Sequence, residues 1–166
     1  MQHLLVAEAA VDVLQGDHAS TLCEARCERI SRKDEIETPV ARRSPVPTGT
    51  NLGGLIKHLR WVELGAFAEQ IGQIPAAELP TPPWSEEDPE ADLRLEPHEK
   101  LDDVIGAYQA ECDRSRAIAA QHSLDYSPQG SELTLRWVYL HLILETGRHA
   151  GHADILRELI DRTVGD

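Results

Sequence analysis

Long apolar runs are missing from this chain. No stretch approaches the roughly 20 residues that a membrane-spanning helix requires, so a membrane location is not expected. The start lacks the basic region of a secretory signal, and its run Leu4-Leu5-Val6-Ala7 is interrupted by Glu8. Positive charge is scarce as well: Lys and Arg total 16 against 29 Asp and Glu, a formal net charge of -13. A surface that acidic repels nucleic-acid phosphates and anionic lipid, and neither is expected as a partner. Cysteine is sparse and odd in number, with Cys23, Cys27 and Cys112. They cannot form a framework of even pairs, and a reduced, cytoplasmic protein is the expectation. Cys23 and Cys27 stand four apart, on one helical face, and read as small apolar residues rather than a redox pair.

What remains is a chain of 166 residues, 41% hydrophobic, enough for one domain with a continuous core. Pro and Gly divide it into helical blocks. Leu4, Ala7, Val11 and Leu14 recur at helical spacing. A second block, from Ser20 to about Ile36, has a thin apolar stripe of Cys23, Cys27 and Ile30, and Pro39, Pro45, Pro47 and Gly49 then make a connector. Thr50 is read as the cap of the next helix, whose face of Leu52, Leu55, Ile56, Leu59, Val62, Ala66 and Phe67 runs to about Ile71. Residues Pro75 to Pro97 are too proline-rich for a helix and lack strand alternation. A loop this long inside a compact domain is usually functional or disordered, and a bundle with a crossover between non-adjacent helices would also require one. The next helix is expected from about Glu99 to Gln121, with Leu101, Val104, Ile105, Tyr108, Cys112 and Ile118 inward. The last is expected from near Ser131 to about Arg162. No segment reads as a strand, and the pattern alone predicts an all-α bundle.

The last helix carries the chemistry. Val138, Leu142, Glu145, His149, His152, Leu156 and Leu159 follow steps of three and four and predict one stripe, apolar at its ends and Glu-His-His in its middle. An ionised carboxylate in a core is costly unless it is paired or bound to a metal. Glu145 and His149, four apart, stack on adjacent turns and suit two ligands of one ion. The same spacing also describes a solvated or internally paired face, with Glu145 bonded to Arg148. On the earlier helix His58 sits beside Leu55, Leu59 and Val62, where a histidine is either a ligand or a packed core residue with one hydrogen bond.

Three segments resemble a known family. Pro47 to Glu63 reads P-T-G-T-N-L-G-G-L-I-K-H-L-R-W-V-E. Leu140 to Leu159 reads L-H-L-I-L-E-T-G-R-H-A-G-H-A-D-I-L-R-E-L, and Pro82 to Pro97 reads P-P-W-S-E-E-D-P-E-A-D-L-R-L-E-P. Together they resemble the DinB-like family, in the branch that includes the mini-circle protein. The resemblance covers about Pro45 to Ile160 and implies a four-helix bundle with a long crossover loop. Residues 1–44 match the family's first helix poorly and are read as a helical segment in that place, with 45–166 as the bundle core. The resemblance also implies a three-ligand metal site on His58, Glu145 and His149. Many members use His-x-x-x-His on the last helix; here Glu145 replaces the first histidine, as in the similar mycothiol-dependent maleylpyruvate isomerases. His152 falls where many relatives have glutamine and is not counted as a ligand.

A divalent ion is therefore expected, zinc first, with nickel, iron or manganese as alternatives. The implied function is a metal-dependent thiol S-transferase or isomerase acting with a low-molecular-weight thiol of the mycothiol type. No cysteine lies in the two ligand-bearing motifs, so the thiol would come from the cosubstrate. Two other classes stay open: a non-catalytic, stress-related helical-bundle binding protein, and a metal-assisted hydrolase. Trp84 and the acidic run Glu86-Glu87-Asp88 either line the pocket mouth or form a surface loop with one anchoring aromatic. Arg60, Arg136 and Arg148 either bind carboxylates or sit in surface ion pairs. A homodimer is left open.

Overall fold

Asn51 starts the helix on which the site depends. Its backbone is extended (φ -139°, ψ 169°), and its side-chain oxygen accepts from the Gly54 N–H at 2.8 Å, capping a helix over Leu52–Glu63. Thr50, the expected cap, instead hydrogen-bonds with Thr48 through the two hydroxyls. The start moves one residue because Asn51 is tied elsewhere too: its N–H donates to the Leu93 carbonyl at 3.2 Å. The computed structural model describes residues 37–162. The expected helices over residues 4–14 and 20–36, with Cys23 and Cys27, lie outside them.

Among the described residues there are four α-helices and no strand. We label them α1 (Thr38–Ala41), α2 (Leu52–Glu63), α3 (Leu101–Ala119) and α4 (Leu135–Asp161). The first is a single turn. The second continues through Leu64–Ile71 as a π-helical segment, so its overall end matches the expected one. Both α3 and α4 are shorter at their starts than the sequence suggested. Lys100 precedes α3, and the Thr134 hydroxyl accepts from the Trp137 N–H to cap α4. Gly147 and Gly151 do not break α4.

The packing pairs fix directions. Leu52 and Leu55 cluster with Leu156 and Ile160, while Phe67 and Ile71 cluster with Leu135 and Val138. So α2 and α4 are antiparallel. Ile56 packs with Leu101 and Ile105, Leu59 with Tyr108 and Cys112, and Phe67 with Ala119 in the same cluster. Hence α2 and α3 are parallel neighbours, and α2 lies between α3 and α4. The crossover therefore joins two helices that pack side by side. The π segment ends α2 at the far end of the bundle, and α3 must begin at the near end. The chain therefore travels back the length of about 20 helical residues, roughly 30 Å. Residues 72–100 make that return, with two 3-10 turns at Ala76–Glu78 and Ala91–Leu93.

On α3 the buried residues Leu101, Ile105, Tyr108, Cys112, Ser115 and Ala119 alternate steps of four and three, and Glu111, paired with Arg114, is buried beside Cys112. Val104 and Ile118 are only partly buried. On α4 the stripe departs from the expected one at its C-terminal end. Val138, Leu142, Glu145, His149 and Leu156 are buried, but His152 is exposed and Leu159 is 57% exposed. At about 100° per residue, His152 and Leu159 fall about 40° and 60° to one side of Val138, whereas Leu142 and Ile160 fall about 40° to the other. Ile160 takes the inward place. No helix among the described residues is long and apolar enough to cross a membrane.

Candidate metal centre

The antiparallel pairing brings the middle of α4 level with the middle of α2. Between the apolar cluster around Leu55 and Leu156 and the one around Phe67 and Val138, the interface is polar. One donor atom each from His58, Glu145 and His149 lie within 4.8 Å of one another. The rings of His58 and His149 meet edge-on, with centroids 4.6 Å apart and an interplanar angle of 61°. Oε2 of Glu145 is 3.4 Å from Nε2 of His149, while its Oε1 accepts from Arg148 Nη1 at 2.7 Å. The ion pair with Arg148 weighed from the sequence is thus present, and it leaves the second carboxylate oxygen facing the histidine.

The residues suit a metal ion on several grounds. Tetrahedral coordination at about 2.0–2.2 Å holds donors about 3.4 Å apart, close to the Glu145–His149 separation. The other ring nitrogen, Nδ1 of His149, is buried with no hydrogen-bond partner among the described residues, and an ion held on Nε2 would leave it so. Burial pushes the His149 pKa down to about 4, with the neighbouring His58 adding to the shift and Glu145 opposing it. His149 is therefore neutral near pH 7, the form that ligates metals. One carboxylate and two imidazoles match the donor set of catalytic zinc sites, which leave a position open.

His58 also meets the crossover. Its Nδ1 lies 2.8 Å from Oδ2 of Asp92, which is buried in the turn Ala91–Leu93. Beside it on α2, the buried Lys57 donates from Nζ to the carbonyls of Ala91 and Arg94, at 3.1 and 3.2 Å, and pairs with Glu99.

A family description, Mycothiol-S-transferase, matches residues 19–162. The chain belongs to this family. The mycothiol S-transferases are DinB-like, so the resemblance read from three motifs and the matched family agree. The match also reaches back into the N-terminal segment that the motifs left uncovered. Among curated proteins and among solved structures, nothing matches.

Other candidate residues of this mycothiol S-transferase family member have ordinary roles. Arg136 pairs with Asp125 at 3.1 Å. The Arg60 guanidinium lies over the Trp61 ring, 4.8 Å from its centroid. Trp84 is exposed and meets Trp61 edge-on at 5.3 Å, so it anchors the crossover to α2. Of the acidic run, Glu87 is bonded by Ser85 and Asp88 pairs with Arg94. His152 touches the His149 ring edge-on but stays outside the donor cluster. Asp92, Lys57 and Asn51 were not singled out from the sequence. The available signal was a question of satisfaction: a ligating histidine needs a partner for its second nitrogen.

Proposed function

We propose that His58, Glu145 and His149 bind one divalent metal ion, zinc first, and that the protein is a thiol S-transferase using a low-molecular-weight thiol of the mycothiol type. The observation that carries this reading is the convergence of a carboxylate and two imidazoles between the apolar clusters of α2 and α4, in a chain of the mycothiol S-transferase family. When bound, the ion would supply Lewis acidity that favours the thiolate form of a nearby thiol.

The chain's own residues do the rest. His149 stays neutral and available, Glu145 offsets positive charge, and the apolar clusters above and below restrict water. Cys112, the cysteine among the described residues, is fully buried beside Leu59 and Tyr108, which supports a reacting sulfur supplied by the cosubstrate. In the transfer a sulfur–carbon bond forms, the electrophile's leaving group departs with its electron pair, and the thiol proton passes to solvent. A reduced, cytoplasmic setting is part of this reading, because an oxidising one would consume the thiol.

One observation favours a non-catalytic bundle instead: Arg148 already satisfies part of the Glu145 carboxylate. Metal analysis of the purified protein, followed by thiol conjugation assays with an alkylating electrophile, separates the two. About one ion per chain and conjugation that disappears on metal removal are expected. Thiol-independent hydrolysis would point to the metal-assisted hydrolase, and a protein that takes up no metal would overturn the proposal.

A further inference from the structure

We propose that Asp92 is a positioning residue of the centre: it holds the His58 ring in one tautomer and one orientation, so that Nε2 faces Glu145 and His149. The inference rests on the metal reading above and extends it to the crossover. With Nδ1–H of His58 donating to Asp92 at 2.8 Å, Nε2 is the nitrogen left with a lone pair. A carboxylate on the outer nitrogen of a ligating histidine fixes its tautomer and raises its basicity. Asp92 is itself only 7% exposed, a costly place for a carboxylate unless a donor meets it.

The segment around Asp92 is held from both sides by the stretch of α2 that carries His58. Lys57 Nζ grips the carbonyls of Ala91 and Arg94. Asn51 receives the Leu95 N–H on its side-chain oxygen at 3.0 Å and donates its own N–H to Leu93. Gly54 lets the Leu93 carbonyl approach so closely that a Cβ there would stand 1.8 Å from its oxygen. Residues 91, 93, 94 and 95 are thus all fastened to α2, and Asp92 projects from the middle of that fastened stretch. The close fit of loop to helix gives the carboxylate a fixed place beside a fixed ring.

The test uses the full chain and its Asp92→Ala and Asp92→Asn variants. Zinc affinity is measured by chelator competition, helical content by circular dichroism, and the His58 tautomer by nitrogen-15 NMR on metal-stripped protein. Asp92→Ala is expected to weaken zinc binding roughly 10–100-fold with helical content retained. Its His58 should show a mixture of tautomers where the parent shows Nδ1–H alone. Asp92→Asn, which keeps an acceptor oxygen but not the charge, should fall between the two. Should Asp92→Ala not fold, Asp92→Asn decides, and an affinity and tautomer equal to the parent's overturn the inference. If the parent takes up no zinc, the metal reading fails on its own. The tautomer measurement, made without metal, then still judges Asp92: an unchanged His58 in the variants removes its positioning role.

Discussion

His58 has two carboxylates near it, and they are delivered by unlike means. Glu145 comes from the interior of α4, one turn before His149, on a face whose direction is set by helical period. Asp92 comes from an irregular crossover whose backbone is bound by Asn51 and Lys57 and packs closely over Gly54. Both carboxylates are buried, but Glu145 also has a salt bridge to Arg148, which is 60% exposed, whereas Asp92 meets His58, which is 24% exposed. A periodic element announces where its side chains point. An irregular one has to be told by tertiary contacts, and those contacts are part of the site.

The sharpest way to break the α4 side is His149→Ala. It removes one of the three proposed ligands, while the bundle keeps its apolar clusters. Metal content is expected to fall to background and thiol conjugation with it, and circular dichroism should show helical content close to the parent's. Conjugation that survives in protein shown to be metal-free would make the ion incidental.

The crossover side breaks at Gly54. A methyl group there meets the Leu93 carbonyl oxygen at 1.8 Å and its carbon at 2.0 Å, and both are backbone atoms that cannot rotate away. Gly54→Ala is expected to cost about 3 kcal/mol in urea unfolding, by forcing the loop off α2. Gly147 offers the contrast. It lies inside α4 with nothing within 4 Å of the place a Cβ would occupy. Gly147→Ala should raise stability by up to about 1 kcal/mol, since alanine has the better helix propensity and no clash opposes it. Equal effects at the two glycines would contradict the account of the loop's close approach.

The same contrast explains what the sequence could say. The helices over Leu52–Ile71, Leu101–Ala119 and Leu135–Asp161 were legible because apolar residues recur at helical spacing. The shared buried face of Glu145 and His149 was legible for that reason too. That His152 and Leu159 turn outward was not, because steps of three and four are compatible with slow drift around a long helix. Thr50 and Asn51 are both good caps, and the choice between them is made by the contact of Asn51 with Leu93, far along the chain. No spacing rule links residue 58 to residue 149, and the family motifs alone brought them together. Asp92 was hidden most completely, since its neighbours in sequence carry no period and its partner is 34 residues away.

The smallest expected effect concerns Arg148. Its guanidinium bonds Oε1 of Glu145 at 2.7 Å, yet the side chain is 60% exposed. Exposed pairs of this kind contribute little, because water screens the charges and the long side chain loses freedom when it is held. Arg148→Ala should therefore change unfolding stability by no more than about 0.5 kcal/mol. Its effect on metal affinity has a definite sign under the proposed reading. Removing a cation beside Glu145 takes away one positive charge that repels the ion and frees the second carboxylate oxygen for it. Chelator competition should show affinity equal to or slightly above the parent's. A clear loss would mean that Arg148 holds Glu145 in place, as Asp92 is proposed to hold His58, and the two sides of the centre would then be built alike.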